Sequence, residues 1–163
     1  MSEGSLTLDT FFENWKLYQD GLRDAVRPLT EEQLALRVAP GLRTAGEIAA
    51  HIIEARVGWF NGYLGEDVGE LAPLSEWGTE GSPARTESEL VYGLDASWKM
   101  VSDALARWGS AGLEYVITRH RDGRQHTPRS RAWVIWHLLE HDLHHGGELS
   151  LTLGAHGLQA PDI

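Results

Sequence analysis

No cysteine occurs among the 163 residues. That absence removes disulfide cross-links, thiolate metal ligands and a cysteine nucleophile together, and any thiol chemistry needs a thiol from outside. Long apolar runs are missing too: nowhere do the roughly 18 consecutive apolar residues of a spanning helix occur. Positive charge is scarce. Fourteen Lys and Arg stand against 24 Asp and Glu, a formal net charge of −10. Such a balance repels phosphate backbones and anionic lipid, so neither nucleic acid nor a membrane is an expected partner. The opening MSEGSLTLDT lacks the basic-then-apolar layout of a secretory signal. A cytoplasmic, soluble protein with one domain over residues 1–163 and one sizeable core is expected.

Helix signals are plentiful. Thr30-Glu31-Glu32-Gln33, Thr44-Ala45-Gly46-Glu47 and Thr86-Glu87-Ser88-Glu89 each fit the capping-box pattern, a hydroxyl followed three residues later by Glu or Gln. Apolar periodicity predicts long helices over about Leu8–Val26, Ala45–Leu64, Glu87–Trp108 and Arg129–Leu153, with a short helical turn after Thr30. Thr127 and Pro128 suit a cap and first turn for the fourth. The stretch Gly65–Arg85, rich in Gly, Pro, Ser and acid, is long enough for a crossover over the end of a bundle. Leu113–Thr118 is β-prone and Arg121-Asp122-Gly123-Arg124 turn-like, consistent with either a hairpin or an irregular loop. The expected fold class is all-α, a four-helix bundle with one long crossover connection.

The fourth long helix carries an anomaly. At about 100° per residue, Val134, Leu138, His141, His145, Leu149 and Thr152 fall in one stripe about 60° wide. Two imidazoles therefore sit where core leucines belong, and each needs a hydrogen-bond partner or a metal. Their i, i+4 spacing lets both bind one ion. A satisfied core, with the rings bonded to each other, to Glu54 or to buried water, is the alternative. His51, on the second long helix beside Ile48, Ile52, Ala55 and Trp59, can supply a third nitrogen. Along its own line lie Ala55, Gly58 and Gly62, a row that permits either close helix packing or room for a ligand. The remaining histidines point elsewhere: His137 and His144 lie off the stripe, His120 and His126 flank the turn, and His156 falls in the tail. The opposite face of that helix, Ala132, Trp136, Leu139, Leu143, Gly146 and Ser150, is also largely apolar; a homodimer is the expected cover, with the long crossover or the C-terminal tail as the alternative. Trp59, Trp98, Trp133 and Trp136 are expected to pack rather than to hold a cofactor.

Two stretches carry a family resemblance. Ala45–Phe60 (AGEIAAHIIEARVGWF) and Val134–Leu158 (VIWHLLEHDLHHGGELSLTLGAHGL) resemble the DinB-like superfamily of four-helix-bundle metalloenzymes. That group is related to bacillithiol- and mycothiol-dependent transferases and to mycothiol-dependent maleylpyruvate isomerase. The resemblance implies one divalent metal held by His51, His141 and His145, with waters completing its shell. Gly146-Gly147-Glu148 stands where many relatives carry an Arg-Gly-Gln run. The resemblance also implies an exogenous low-molecular-weight thiol as the partner of a small-molecule substrate.

Two metalloprotease-like patterns compete. His137-Leu138-Leu139-Glu140-His141 reads H-x-x-E-H, but little chain follows for a third ligand. His141-Asp142-Leu143-His144-His145 resembles H-E-x-x-H with a shortened carboxylate. Three neutral imidazoles favour zinc, nickel or iron(II) over magnesium or calcium. The functional expectation is a metal-dependent transferase or isomerase activating a small thiol or water. A non-catalytic, metal-binding stress-response bundle and a small metal-dependent hydrolase are the alternatives. Glu54, Tyr63 and Glu148 are candidates for the shell behind the ligands.

Overall fold

The computed structural model describes residues 3–79, 81–121, 124–125 and 127–161, with the side chains of residues 3–7, 120–121 and 124–125 left out. Its elements run α1 (Glu3–Val26), α2 (Glu31–Leu34), α3 (Ala45–Gly58), a π-helical turn (Trp59–Leu64), a 3-10 helix (Gly69–Glu76), α4 (Glu87–Leu113), four two-residue strands and α5 (Arg131–Ala155). The architecture is all-α. Among the described residues no helix is long and apolar enough to cross a membrane.

The three capping boxes form as the sequence predicts. Thr44 Oγ1 accepts from the Glu47 amide at 3.1 Å while Glu47 Oε2 accepts from the Thr44 amide at 2.7 Å. Thr30 with Gln33 and Thr86 with Glu89 repeat the exchange. Each box satisfies donors that a helix start leaves orphaned. Helix α1 begins at Glu3, five residues before the expected start at Leu8. Helix α5 begins at Arg131 under a Ser130 cap, its Oγ accepting from Trp133 N at 3.1 Å, rather than at a Thr127-Pro128 cap. The reason is strand pairing. Arg129–Ser130 (β4) pairs antiparallel with Val116–Ile117 (β1), so its backbone is extended where the periodicity alone suggested helix. His120–Arg121 (β2) and Arg124–Gln125 (β3) make a second antiparallel pair, while Asp122, Gly123 and His126 lie outside the described residues.

Two interruptions have local causes. Gly109 adopts φ 56°, ψ −175°, a conformation essentially restricted to glycine, and breaks α4 one residue past its expected end at Trp108. After Gly58 the second long helix widens into the π turn, and the amides of Gly65 and Glu66 both bond the Phe60 carbonyl. Gly65 closes it at φ 69°.

Helix α3 is the centre, packed against α5, α4 and the 3-10 helix. Ile48, Ile52, Ile53, Val57 and Phe60 from α3 meet Leu90, Leu94 and Val101 of α4 and Val134, Leu138 and Leu149 of α5 in one core. The connection Gly65–Arg85 does not merely cross the end of the bundle; its 3-10 helix lies against α3 and brings Gly78 onto His51 and Glu54. A Cβ at Gly78 would press on the His51 Cα at 3.0 Å as well as displace Glu54 Oε2, so glycine suits that backbone approach. The second apolar face of α5 divides. Gly146 lies so close to Tyr18 and Leu22 of α1 that a methyl would overlap the Tyr18 hydroxyl, and Leu139 is buried. Trp136 and Leu143 remain 55% and 47% exposed. Trp136 is thus not a packing residue within this chain.

A candidate metal centre of three histidines

The stripe on α5 is buried as the periodicity predicts: Val134, Leu138, His145, Leu149 and Thr152 are all below a tenth exposed. It faces α3, and that brings three imidazoles together. The ring centroids of His51 and His141 are 4.8 Å apart, those of His51 and His145 4.6 Å, and those of His141 and His145 4.3 Å. One nitrogen from each lies within 4.8 Å of the others. His141 Nε2 and His51 Nε2 approach to 3.2 Å. Two nitrogens bound to one zinc at about 2.0–2.1 Å sit about 3 Å apart, so little movement is required.

The donor set fits a transition metal better than a closed hydrogen-bond network. His51 Nδ1 is 2.9 Å from Glu54 Oε2, and His145 Nδ1 is 2.8 Å from Glu148 Oε2. A carboxylate can only accept here, so each Nδ1 carries the proton and each Nε2 keeps its lone pair, the arrangement usual behind a metal-bound histidine. As a purely hydrogen-bonded core the trio falls short. His141 can donate to only one of the two bare nitrogens, and its own buried Nδ1 has no partner. The pattern of protonation agrees. Burial pushes His141 down to about 3, and the His145, His51, His137 and His144 rings beside it push the same way. Burial also lowers His145, against the opposing pull of Glu148. His141 and His145 are therefore available as neutral ligands near pH 7.

Of the residues expected behind the ligands, Glu54 and Glu148 reach the rings and Tyr63 does not. The Tyr63 hydroxyl donates to the Thr127 carbonyl at 3.1 Å and lies 3.4 Å from that of Ile117, tying the π turn to the strand segment. Glu148 is shared: its second oxygen is 3.4 Å from His144 Nε2, and His144, His145 and Glu148 form another, more exposed cluster with ligating atoms. Replacing Glu54 by Gln, which can no longer fix the His51 proton as a carboxylate does, should weaken zinc affinity by about 10- to 100-fold. Competition with a zinc-binding dye measures this, and an unchanged constant would remove Glu54 from the account.

The two metalloprotease-like patterns fail on position. Asp142 is fully buried beside the histidine stripe and is turned to Arg56 and Trp15. Its carboxylate accepts from Arg56 Nη2 at 2.7 Å and from Trp15 Nε1 at 2.8 Å, so it has no proton-transfer role at the histidines. Glu140 is 62% exposed beside His137, and the His137 ring stacks on Trp133 with 5.1 Å between centroids.

A cavity of about 760 Å³ opens from His51 and His141 and runs over Ala55, Gly58 and Gly62. The small-residue row thus makes space instead of packing: a Cβ at Gly58 or Gly62 would meet nothing within 4 Å. Trp59 and Tyr63 line it, 5.3 Å apart, with Ser75 of the 3-10 helix and Arg119 completing it. Sequence reasoning missed Arg119, Ser75 and the buried Arg56. Trp59 packs against the core as expected, and its ring also walls the cavity and touches His137 and Trp133.

The pH dependence of stability follows from His141. Its unfolded value is near 6.5 and its folded value about 3. Between those limits the unfolded chain binds the extra proton, so this group's contribution falls as pH drops below 6.5 and is constant above. Chelator-treated protein should therefore lose urea resistance from pH 7 to 5, and His141→Asn should flatten that slope. A wild-type midpoint that rises on acidification would contradict the burial of a neutral ring.

An all-α bundle with a three-histidine candidate metal site facing an open cavity defines the class. The sequence profile of the DinB family matches residues 1–163, and the chain belongs to that family. It is 23% identical over 167 residues to the uncharacterized protein YrdA of Bacillus subtilis strain 168, spanning 96% of this chain and 87% of that one. The crystal structure of a DinB-like protein from Bacillus cereus ATCC 10987 superposes with a TM-score of 0.73 at 21% identity. That likeness covers 95% of this chain and 96% of the other and is one of fold.

Proposed function

We propose that this protein binds one divalent transition metal through His51, His141 and His145 and activates a low-molecular-weight thiol there for transfer or isomerisation. The observation that carries the proposal is the convergence of three imidazoles, two oriented by carboxylates, at the mouth of a cavity. A set of three nitrogens suits zinc, nickel or iron(II). Such an ion supplies Lewis acidity that favours the thiolate form of a thiol at neutral pH.

The chain's own groups supply positioning more than proton transfer. Glu54 and Glu148 are engaged with ring nitrogens, and the Tyr63 hydroxyl is engaged with backbone. With no free general base among the described residues that line the cavity, and no cysteine in the sequence, nucleophile activation falls to the metal site and to a thiol from solution. The neighbouring Trp59 and the bare glycine floor leave room for the electrophile. A second copy of the chain over Trp136 and Leu143 is part of this reading, and sedimentation distinguishes dimer from monomer.

The test is a screen of electrophiles with glutathione, bacillithiol and mycothiol, run with zinc- and nickel-loaded protein. Metal-dependent turnover that His145→Ala abolishes is the expected result. Metal binding without turnover in any combination would replace this reading with a non-catalytic metal-binding bundle.

A further inference from the structure

The cavity that begins at the histidines ends at a cation. His51, Ala55, Gly58 and Gly62 follow one line of the helix and its π turn, and the rise from His51 to Gly62 is about 16 Å at 1.5 Å per residue. At that far end the half-buried Arg119 borders the same space. Its Nε donates to the Tyr63 carbonyl at 2.6 Å, which fixes the plane of the guanidinium. Gly65 makes the seat possible, since a side chain there would collide with Arg119 Nη2. The acid nearest in sequence to that seat, Glu66, is already bound by Arg107 and lies 3.4 Å from Arg131. Among the described residues no carboxylate pairs with Arg119. Between the two ends the walls are Ala55, Trp59, Tyr63, Ser75 and bare backbone, and the one carboxylate on the lining, Glu54, is engaged with His51 at the histidine end.

A pinned guanidinium without a counter-ion among the described residues, facing a cavity in a chain of net charge −10, is a site for an oxyanion. We propose that the cavity takes an elongated ligand with an anionic end group, carboxylate or phosphate, held by Arg119 while its other end reaches the three imidazoles. This rests on the thiol reading above and narrows it: the thiol carrier is acidic, with an uncharged middle lying over Gly58 and Gly62.

The test uses cobalt(II)-loaded protein and the thiolate-to-cobalt charge-transfer absorption, a binding signal that needs no turnover. The probes are 11-mercaptoundecanoic acid, the phosphonic acid of matching chain length and 11-mercaptoundecanol, beside the short pair mercaptoacetate and 2-mercaptoethanol. At least one long acid should bind about tenfold or more tightly than the long alcohol, as a charge-assisted bond would give, and the better acid identifies the end group. The short pair should show no preference, because it cannot span the trough. Arg119→Gln should erase the long-chain preference while keeping cobalt affinity, and Arg119→Lys should keep part of it. Equal binding of long acids and alcohol by the wild-type protein, or a preference that survives in Arg119→Gln, overturns the inference alone. No charge-transfer signal with any thiol overturns the thiol reading and this inference with it.

Discussion

Replacing Arg56 by methionine should lower the melting temperature of the metal-free protein by about 6–20 °C. Arg56 and Asp142 are both fully buried and lie 86 positions apart in sequence. Besides the 2.7 Å contact through Nη2, Arg56 Nε lies 3.1 Å from Asp142 Oδ2, while Nη1 donates to Gln19 Oε1 at 2.7 Å. Nη1 also lies 3.3 Å from Ser97 Oγ on α4, so this single guanidinium ties α3, which carries it, to the other three long helices. Removing the cation strands a carboxylate in the core, which costs about 3–5 kcal/mol out of a typical total of 5–15. For a domain of this size each kcal/mol moves the melting temperature by about 2–4 °C. The double variant Arg56→Met/Asp142→Leu should recover most of the loss, short of what Trp15 and Gln19 still lack, because no buried charge is left unpaired. A single variant that melts with the wild type would mean that Asp142 finds water or a proton more easily than its burial allows.

The second large effect is thermal. Zinc or nickel at a thousand times its dissociation constant should stabilise the folded protein by about 4 kcal/mol, or about 8–16 °C in melting temperature. The gain comes from binding to a site that exists only when α3 and α5 are docked. His145→Ala, which removes the most buried of the three ligands, should lose nearly all of it. Magnesium should do nothing, since nitrogen donors offer it little. A shift of equal size in the alanine variant would move the ion to another place, with His144 and Glu148 the first alternative.

Periodicity made much of this legible. The i, i+4 pair on α5 and the line of Ala55, Gly58 and Gly62 below His51 are local patterns, and helix geometry alone sets which way they face. The capping boxes were readable for the same reason, since their partners are three residues apart. What escaped was long-range or depended on backbone not written in side-chain pattern. Arg56 looks like one more solvated charge until Asp142 arrives from 86 positions away. Arg119 enters the cavity from a strand segment whose pairing with Arg129–Ser130 also moved the start of α5. The π turn at Trp59–Leu64 keeps the residues of a helix while changing its width, so its existence could not be read from apolar spacing. Whether glycines make space or contact is likewise undecided until the 3-10 helix and strands take their places around them.

The central claim is that His51, His141 and His145 share one cation. Elemental analysis of untagged protein, dialysed against a single divalent metal and compared with four alanine variants, tests it most directly. About one ion per chain is expected for the wild type and for His144→Ala, falling below about a tenth in each of His51→Ala, His141→Ala and His145→Ala. A wild-type protein that emerges free of metal, or three alanine variants that each keep a full ion, would contradict it.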